Sequence, residues 1–282
     1  MKILISGSHG LIGSQLVKEL QSSGYEIGRL GRDFSKPIDF NSVEAVIHLA
    51  GENIAEGRWN DQKKSAIRDS RVNGTAELSQ QIATAENKPK VFISGSAIGF
   101  YGDRGNESLT EISQPGTGFL PEVCAEWESQ TQPADNAGVR TVHLRTGIVL
   151  SSEGGALKKM LPPFKMGGGG ILGSGKQIMS WISIQDMVGA ILHILEHAEI
   201  SGAVNMVSPN PHTNKEFTKT LGSVLKRPTI MPLPAFAARI LFGEMADALL
   251  LSSTRVLPNV LLETKYPFKH PDLESALKAV LK

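Results

Sequence analysis

A chain of 282 residues is long enough to bury a sizeable core, either as one large domain or as a core with a smaller lobe. Its 29 Lys and Arg against 28 Asp and Glu leave a net charge of +1, which excludes a global basic field for nucleic acid or an anionic membrane and leaves a small molecule as the expected partner. The single cysteine, Cys124, excludes an internal disulfide framework; with neither a leader nor a long apolar span expected, the reading is of a cytoplasmic protein without membrane or nucleic-acid partners.

Lys2 to Ser6 is a mostly apolar run of the kind that forms a strand buried on both faces of a parallel sheet, and Gly7 cuts it off. From Gly10 on, Leu11, Ile12, Leu16, Val17 and Leu20 recur at three- and four-residue spacing until Gly24, so a helix follows directly. Gly7, Gly10 and Gly13 then form a GxxGxxG strand-to-helix turn. Three close glycines also describe a plain tight turn, but between a first strand and a first helix they suit a pyrophosphate, whose oxygens meet unpaired helix N–H groups. His9 in this loop reads either as a phosphate contact or as an exposed loop residue.

Tyr25 to Leu30 is the expected second strand, ending in Gly31-Arg32-Asp33. An acid here holds a ribose 2′-hydroxyl and an arginine pairs with a 2′-phosphate, so Arg32 argues for NADP while Asp33 keeps NAD open. Ala45 to Ala50 is another buried strand run, ended by Gly51, and His48 within it reads as a core residue. The loop Glu52 to Trp59 gathers Glu52, Asn53, Arg58 and Trp59 at the rim of the expected cleft, either to grip substrate or as a polar connection into a long helix, Asp61 to about Ala85. That helix carries Arg71-Val72-Asn73-Gly74-Thr75. Lys90 to Ser94 is the next strand, running into Gly95-Ser96-Ala97-Ile98-Gly99-Phe100-Tyr101-Gly102.

Val139 to Arg145 is a further strand, and glycines and prolines then frame a helix near Ala156 to Leu161. Gly170 to Lys176 imitates the front of a phosphate-loop motif, but Gln177 stands where magnesium needs Ser or Thr and a strand-like run, Met179 to Ile184, follows instead of a helix, so this reads as a loop and hairpin bordering the substrate cleft, with Trp181 either walling the pocket or packed in the core. A helix over Gln185 to Ala198, begun by Asp186, places His193 and His197 four apart without a third ligand; they read as surface histidines, and no metal is expected. Gly202 to Ser208 is a late strand and Thr213 to Val224 a helix. An apolar helix from Ala235 to about Leu251 calls for burial and is too short and too charged to span a bilayer. Ser253 to Pro258 and a final helix, Asp272 to Leu281, close the lobe.

The order GxxGxxG, LAG, VNGT and a serine-rich strand end running into YG resembles the extended short-chain dehydrogenase/reductases, the nucleotide-sugar epimerase and dehydratase group. LRTGIVL, GSGKQIMSWISIQD, NMVSP and LPAFAARILFGEMADALLLSSTRVLPNVL resemble the atypical epimerase branch whose C-terminal segment is a domain of unknown function. The resemblance implies phosphate binding by Gly7, Gly10, Leu11, Ile12 and Gly13, NADP recognition by Gly31 and Arg32, and Leu49, Ala50 and Gly51 beside the ribose and nicotinamide, with Arg71 and Val149 nearby. It implies a catalytic asparagine and serine, matched by Asn73 and Ser96, and a Tyr-x-x-x-Lys pair. That pair is absent: Tyr25, Tyr101 and Tyr266 are followed four residues on by Arg29, Gly105 and His270. Phe119 or Leu120 stands at the tyrosine position and Val123 or Cys124 at the lysine position, and apolar groups exchange no proton. Tyr101, with Asp103 and Arg104 beside it, is the candidate substitute acid/base, against a local packing role.

The expected architecture is an α/β, Rossmann-type doubly wound parallel sheet: residues 1–150 as the NADP-binding core, with 178–207 returning to it, and 151–282 as a smaller C-terminal substrate lobe. The expected activity is that of an NADP(H)-dependent oxidoreductase or epimerase-like enzyme on a small polar or sugar-like substrate bounded by Glu52, Asn53, Arg58, Ser96 and Tyr101. The alternatives are a regulatory protein that binds NADP(H) without turnover, or a structural one. A homodimer is left open.

Overall fold

The computed structural model describes residues 1–282. Its central sheet has six parallel strands in the order β2-β1-β3-β4-β6-β10, comprising β1 (Lys2–Ser6), β2 (Glu26–Leu30), β3 (Val43–His48), β4 (Val91–Ala97), β6 (Arg140–Thr146) and β10 (Gly202–Met206). Parallel neighbours need crossovers, and these are helical. On one face α1 (Leu11–Ser22) packs against α6 (Ile184–Glu196). On the other, α2 (Asp61–Thr84) packs against α3 (Phe119–Ser129) and α4 (Gln132–Asn136).

Strand alternation sorts the core between these layers. Ile3 and Ile5 join Ala45, Ile47, Ile93 and Leu144 beneath Leu16 and Leu20 of α1, whereas Leu4, Val46 and Phe92 face Leu78 and Ile82 of α2. Truncating a fully buried leucine such as Leu16 to alanine costs about 2–5 kcal/mol. The strand order reverses beside β1, with β2 on one side and β3 on the other, and this opens a crevice at the C-terminal ends of β1 and β3.

The segments after β6 pair over long distances. β7 (Ile148–Leu150) lies parallel to β9 (Trp181–Ser183), β8 (Ile178–Met179) antiparallel to β11 (His212–Thr213), and β5 (Ser108–Leu109) parallel to β12 (Arg255–Val256). The loop and hairpin expected around the strand-like run Met179 to Ile184 is therefore corrected to two short strands with separate partners. Helix α5 (Gly155–Lys165) runs through Pro162 and Pro163, further than expected, because Leu157, Leu161 and Phe164 are buried along one side. Ser183 caps α6, accepting from the amide of Asp186 at 3.0 Å; Asp186, the expected cap, is a buried carboxylate that also accepts from the amides of Lys269 and His270. Thr213 caps α7 (Asn214–Leu225) in a reciprocal box with Glu216. Between α9 (Asn259–Glu263) and the chain end, α10 (Leu273–Val280) buries Leu273, Ala276, Leu277 and Val280 in the main core.

Two further expectations are corrected. The apolar helix breaks at Gly243 (φ 62°) into α8 (Ala235–Phe242) and a wide helical turn, Ala246–Leu251; Phe236 and Ile240 are each 66% exposed instead of buried. His193 and His197 are half-buried, stacked 3.8 Å apart, with His193 on the Thr264 hydroxyl. No helix is long and apolar enough to cross a membrane, and no cluster of three or more His, Cys, Asp or Glu side chains is arranged to hold a metal.

Candidate functional site

Backbone, more than side chains, builds the crevice. Gly7 turns the chain at φ 70°, and a Cβ there would stand 2.7 Å from the carbonyl carbon of Leu49. A Cβ on Gly13 would stand 2.2 Å from the Gly7 oxygen. The glycines thus let β1, the end of β3 and the first turn of α1 close on one another. Gly10 caps α1 without any side-chain acceptor, so the first-turn amides, from Leu11 to Gly13, lack intrahelical partners and point their positive potential out of the turn. This set of donors fits a pyrophosphate. Leu11 packs under Gly154 at the start of α5, and Val149 borders the same approach from β7.

Cations gather along the crevice beyond the turn. Arg32 follows β2 in an exposed position, and His9 from the glycine loop meets Arg29 at 3.2 Å. The Glu52 carboxyl is held below its usual range by the hydrogen bond and charge of Lys63 at 2.6 Å, against a burial penalty, with smaller contributions from Arg32 and Arg71. Arg71 reaches in from α2 to lie 3.3 Å from where a Gly51 Cβ would be. Its guanidinium donates to the carbonyls of Ile67 and Glu52 and lies over the Trp127 ring. Burial lowers its pKa, opposed by Cys124 and Glu52. Asn73, two residues on, is exposed on the outer side of α2, so the expectation that it faces the site is corrected: a helix turns two successive positions apart, and Arg71 takes the inner one.

Where the proton-handling groups were expected, the ionisable side chains bind one another. Ser96 donates to Glu128 Oε1 at 2.6 Å, and Glu128 receives a two-pronged contact from Arg145, 2.8 Å from both Nε and Nη2. Arg145 also donates to the Tyr101 hydroxyl at 2.9 Å and lies 3.6 Å from the Phe100 ring centre. The Tyr101 hydroxyl donates to Asn205 Oδ1 at 2.7 Å, and its side chain is fully buried. Burial pushes this phenol above its usual range, outweighing the Arg145 charge. The expectation of a phenol activated by Arg104 is therefore corrected: Arg104 pairs with Glu107, Asp103 binds the amides of Gly105 and Ser253, and the guanidinium at Tyr101 is that of Arg145.

Helix α3 sets Leu120 and Cys124 against Gly99, 3.5 and 3.7 Å from where its Cβ would be, while Phe119 turns to Trp59 with ring centres 5.4 Å apart. Burial pushes the Cys124 thiol up to about 12, which removes it as a nucleophile. In the rim loop, Asn53 accepts from the Ala55 amide, Trp59 donates to the Ile54 carbonyl and Arg58 donates to the Ile240 carbonyl, so their polar groups serve the loop and its contact with α8. His48 bonds Ser6 at 2.6 Å, its other ring nitrogen is buried without a partner, and burial pushes its pKa down to about 4. A cavity of about 690 Å³ lies at the β2 edge of the sheet, between the loop after β2 and the end of α2, and none of the crevice residues lines it.

Sequence reasoning missed Glu128 and Arg145. Their signal was an arginine inside the buried run of β6 and a glutamate one residue after the buried Trp127 on α3.

A six-stranded parallel sheet with helices on both faces and a glycine turn at its reversal point is an α/β protein of the Rossmann type. The sequence profile of the NAD dependent epimerase/dehydratase family matches residues 3–206, and that of a domain of unknown function, DUF1731, matches residues 233–280. The chain belongs to the NAD dependent epimerase/dehydratase family, within the atypical branch that carries this C-terminal domain. It is 40% identical to the epimerase family protein Mb2239 of Mycobacterium bovis, over 98% of this chain and 96% of that one, and 34% identical to human epimerase family protein SDR39U1 over the full length of both. The crystal structure of human SDR39U1 with NADPH superposes with a TM-score of 0.94 at 32% identity, covering 99% of each chain.

Proposed function

We propose that this chain binds NADP(H) across the β1/β3 crevice and acts as an NADP(H)-dependent oxidoreductase or epimerase-like enzyme on a small polar or sugar-like molecule. The observation that carries the reading is the uncapped N-terminus of α1 beneath a side-chain-free turn at the reversal point of the sheet. In support, the human relative that superposes over nearly its whole length was crystallised with NADPH. Gly7, Gly10, Leu11, Ile12 and Gly13 hold the pyrophosphate, Gly31 and Arg32 take the 2′-phosphate, and Leu49, Ala50, Gly51, Arg71 and Val149 flank the ribose and nicotinamide. Bound there, the nicotinamide supplies hydride exchange. Residues 1–150 with 178–207 serve as the cofactor unit, and the remainder is the substrate lobe, with Glu52 at the rim.

Ser96 is the residue of the polar network assigned to the substrate side. Its one proton is committed to Glu128, so its oxygen offers lone pairs to a substrate hydroxyl. A proton arriving at that oxygen releases the one already held to the Glu128 carboxylate, with no electrons moved. Tyr101 acts behind this pair as a positioning residue, through Arg145.

One observation favours a second reading, a regulatory protein that binds NADP(H) without turnover: apolar Leu120 and unionised Cys124 occupy the α3 face toward Gly99. Absorbance at 340 nm during incubation with NADPH and a panel of sugar nucleotides and small carbonyl compounds decides between them. Oxidation abolished in Ser96→Ala supports the enzyme; a null panel with NADPH binding retained supports the regulator.

A further inference from the structure

The net charge of +1 conceals a strongly uneven distribution. From Gly154 to Gln185 the chain has four lysines and no Asp or Glu, and from Phe217 to Gly243 four Lys or Arg and again no acid. The two segments lie side by side. The Met231 and Leu233 amides donate to the carbonyls of Gly169 and Ile171, and Arg227 Nε donates to the Lys165 carbonyl at 2.9 Å. Six of the nine exposed large apolar residues of the chain fall on these segments: Met166, Ile230, Met231, Phe236, Ile240 and Leu241. Lys165, Lys226 and Arg227 stand exposed with them, and none has a carboxylate within 4.0 Å. The acids that follow α8 are already taken, Glu244 by Lys64 and Asp247 by Arg239.

Exposed apolar side chains on the same two adjoining segments as unpaired cations have the chemistry of an interfacial element. We propose that this face docks peripherally on an anionic lipid surface, with the apolar side of α8 entering the headgroup region and Lys165, Lys226 and Arg227 meeting the lipid phosphates. Eight residues of helix are far too short to span a bilayer, so the contact is in the plane of the surface. A symmetric second copy is disfavoured because an isologous contact brings the same cations face to face. Nucleic acid matches the charge but leaves the exposed apolar side chains without a role. This inference is independent of the cofactor reading.

Co-sedimentation of the full chain with vesicles of mixed phosphatidylcholine and phosphatidylglycerol, against pure phosphatidylcholine, tests it. Sedimentation is expected with the mixed vesicles only, falling as salt rises. It should drop by about tenfold in Phe236→Ser/Ile240→Ser and in Lys226→Glu/Arg227→Glu, with circular dichroism reporting the fold of both. Absence of sedimentation with anionic vesicles, equal binding to neutral ones, or indifference to both double substitutions overturns the proposal. So does a lipid-free dimer, seen by light scattering, that Phe236→Ser/Ile240→Ser dissociates, because a second copy is then the occupant.

Discussion

The glycine crevice at β1 and the polar corner between β4, α3 and β6 sit at the same end of one sheet but are built on opposite principles. The crevice consists of close backbone contacts, with an unsatisfied helix terminus and exposed cations directed outward. In the corner, Ser96, Glu128, Arg145, Tyr101 and Asn205 satisfy one another, and little polar capacity is left over. A family scaffold has thus kept an open ligand cradle while the groups beside it form a closed, buried network. Fold membership therefore argues more strongly for what the chain holds than for what it converts.

The sharpest way to break this contrast is to open the corner. Glu128→Ala leaves the Arg145 guanidinium, only 6% exposed, without its carboxylate, and should cost about 3–5 kcal/mol in urea unfolding. Adding Arg145→Met should recover part of that loss; equal losses in the single and double variants contradict a paired network.

Acid should destabilise the crevice side through His48. Its folded pKa of about 4 lies below the unfolded 6.5, so the unfolded chain takes up a proton first as pH falls. The contribution of the neutral ring is complete above pH 6.5 and is lost progressively down to about pH 4, to a total of about 3 kcal/mol. His48→Asn should flatten that part of the stability-pH curve, and an unchanged slope would remove His48 as its source.

Arg32→Ala should weaken NADPH about ten- to hundredfold, the value of one charge-assisted phosphate contact, and leave NADH unaffected. Equal losses for both would place Arg32 away from the 2′-phosphate. Tyr101→Phe removes a hydroxyl bonded to Arg145 and Asn205 and should cost about 1–2 kcal/mol of stability, with NADPH affinity unchanged within about twofold. A collapse of NADPH binding in that variant would contradict its assignment to the closed corner.

The unit from Met1 to Ser22 was legible because strand, turn and helix are consecutive and each carries a local signal: an apolar run, three glycines, then apolar residues at helical spacing. The missing Tyr-x-x-x-Lys was legible by direct inspection. The Glu128–Arg145 pair was not, since its members come from a helix and a strand and only folding makes one the partner of the other. The separate pairings of β8 and β9 were hidden for the same reason: their partners are distant in sequence, so a local apolar run imitates a hairpin. Apolar content from Ala235 on suggested burial, yet composition does not say which side of a helix finds a neighbour, and here only Ala238 of α8 is buried. Asn73 was favoured by motif position; helical phase turned it outward and Arg71 inward.

Isothermal titration of the wild-type chain with NADPH, and separately with NADH, tests the central claim most directly. One-to-one binding with NADPH clearly favoured is the predicted result. No heat and no change in melting temperature at saturating concentrations of either dinucleotide would contradict the claim that the β1/β3 crevice is a cofactor site.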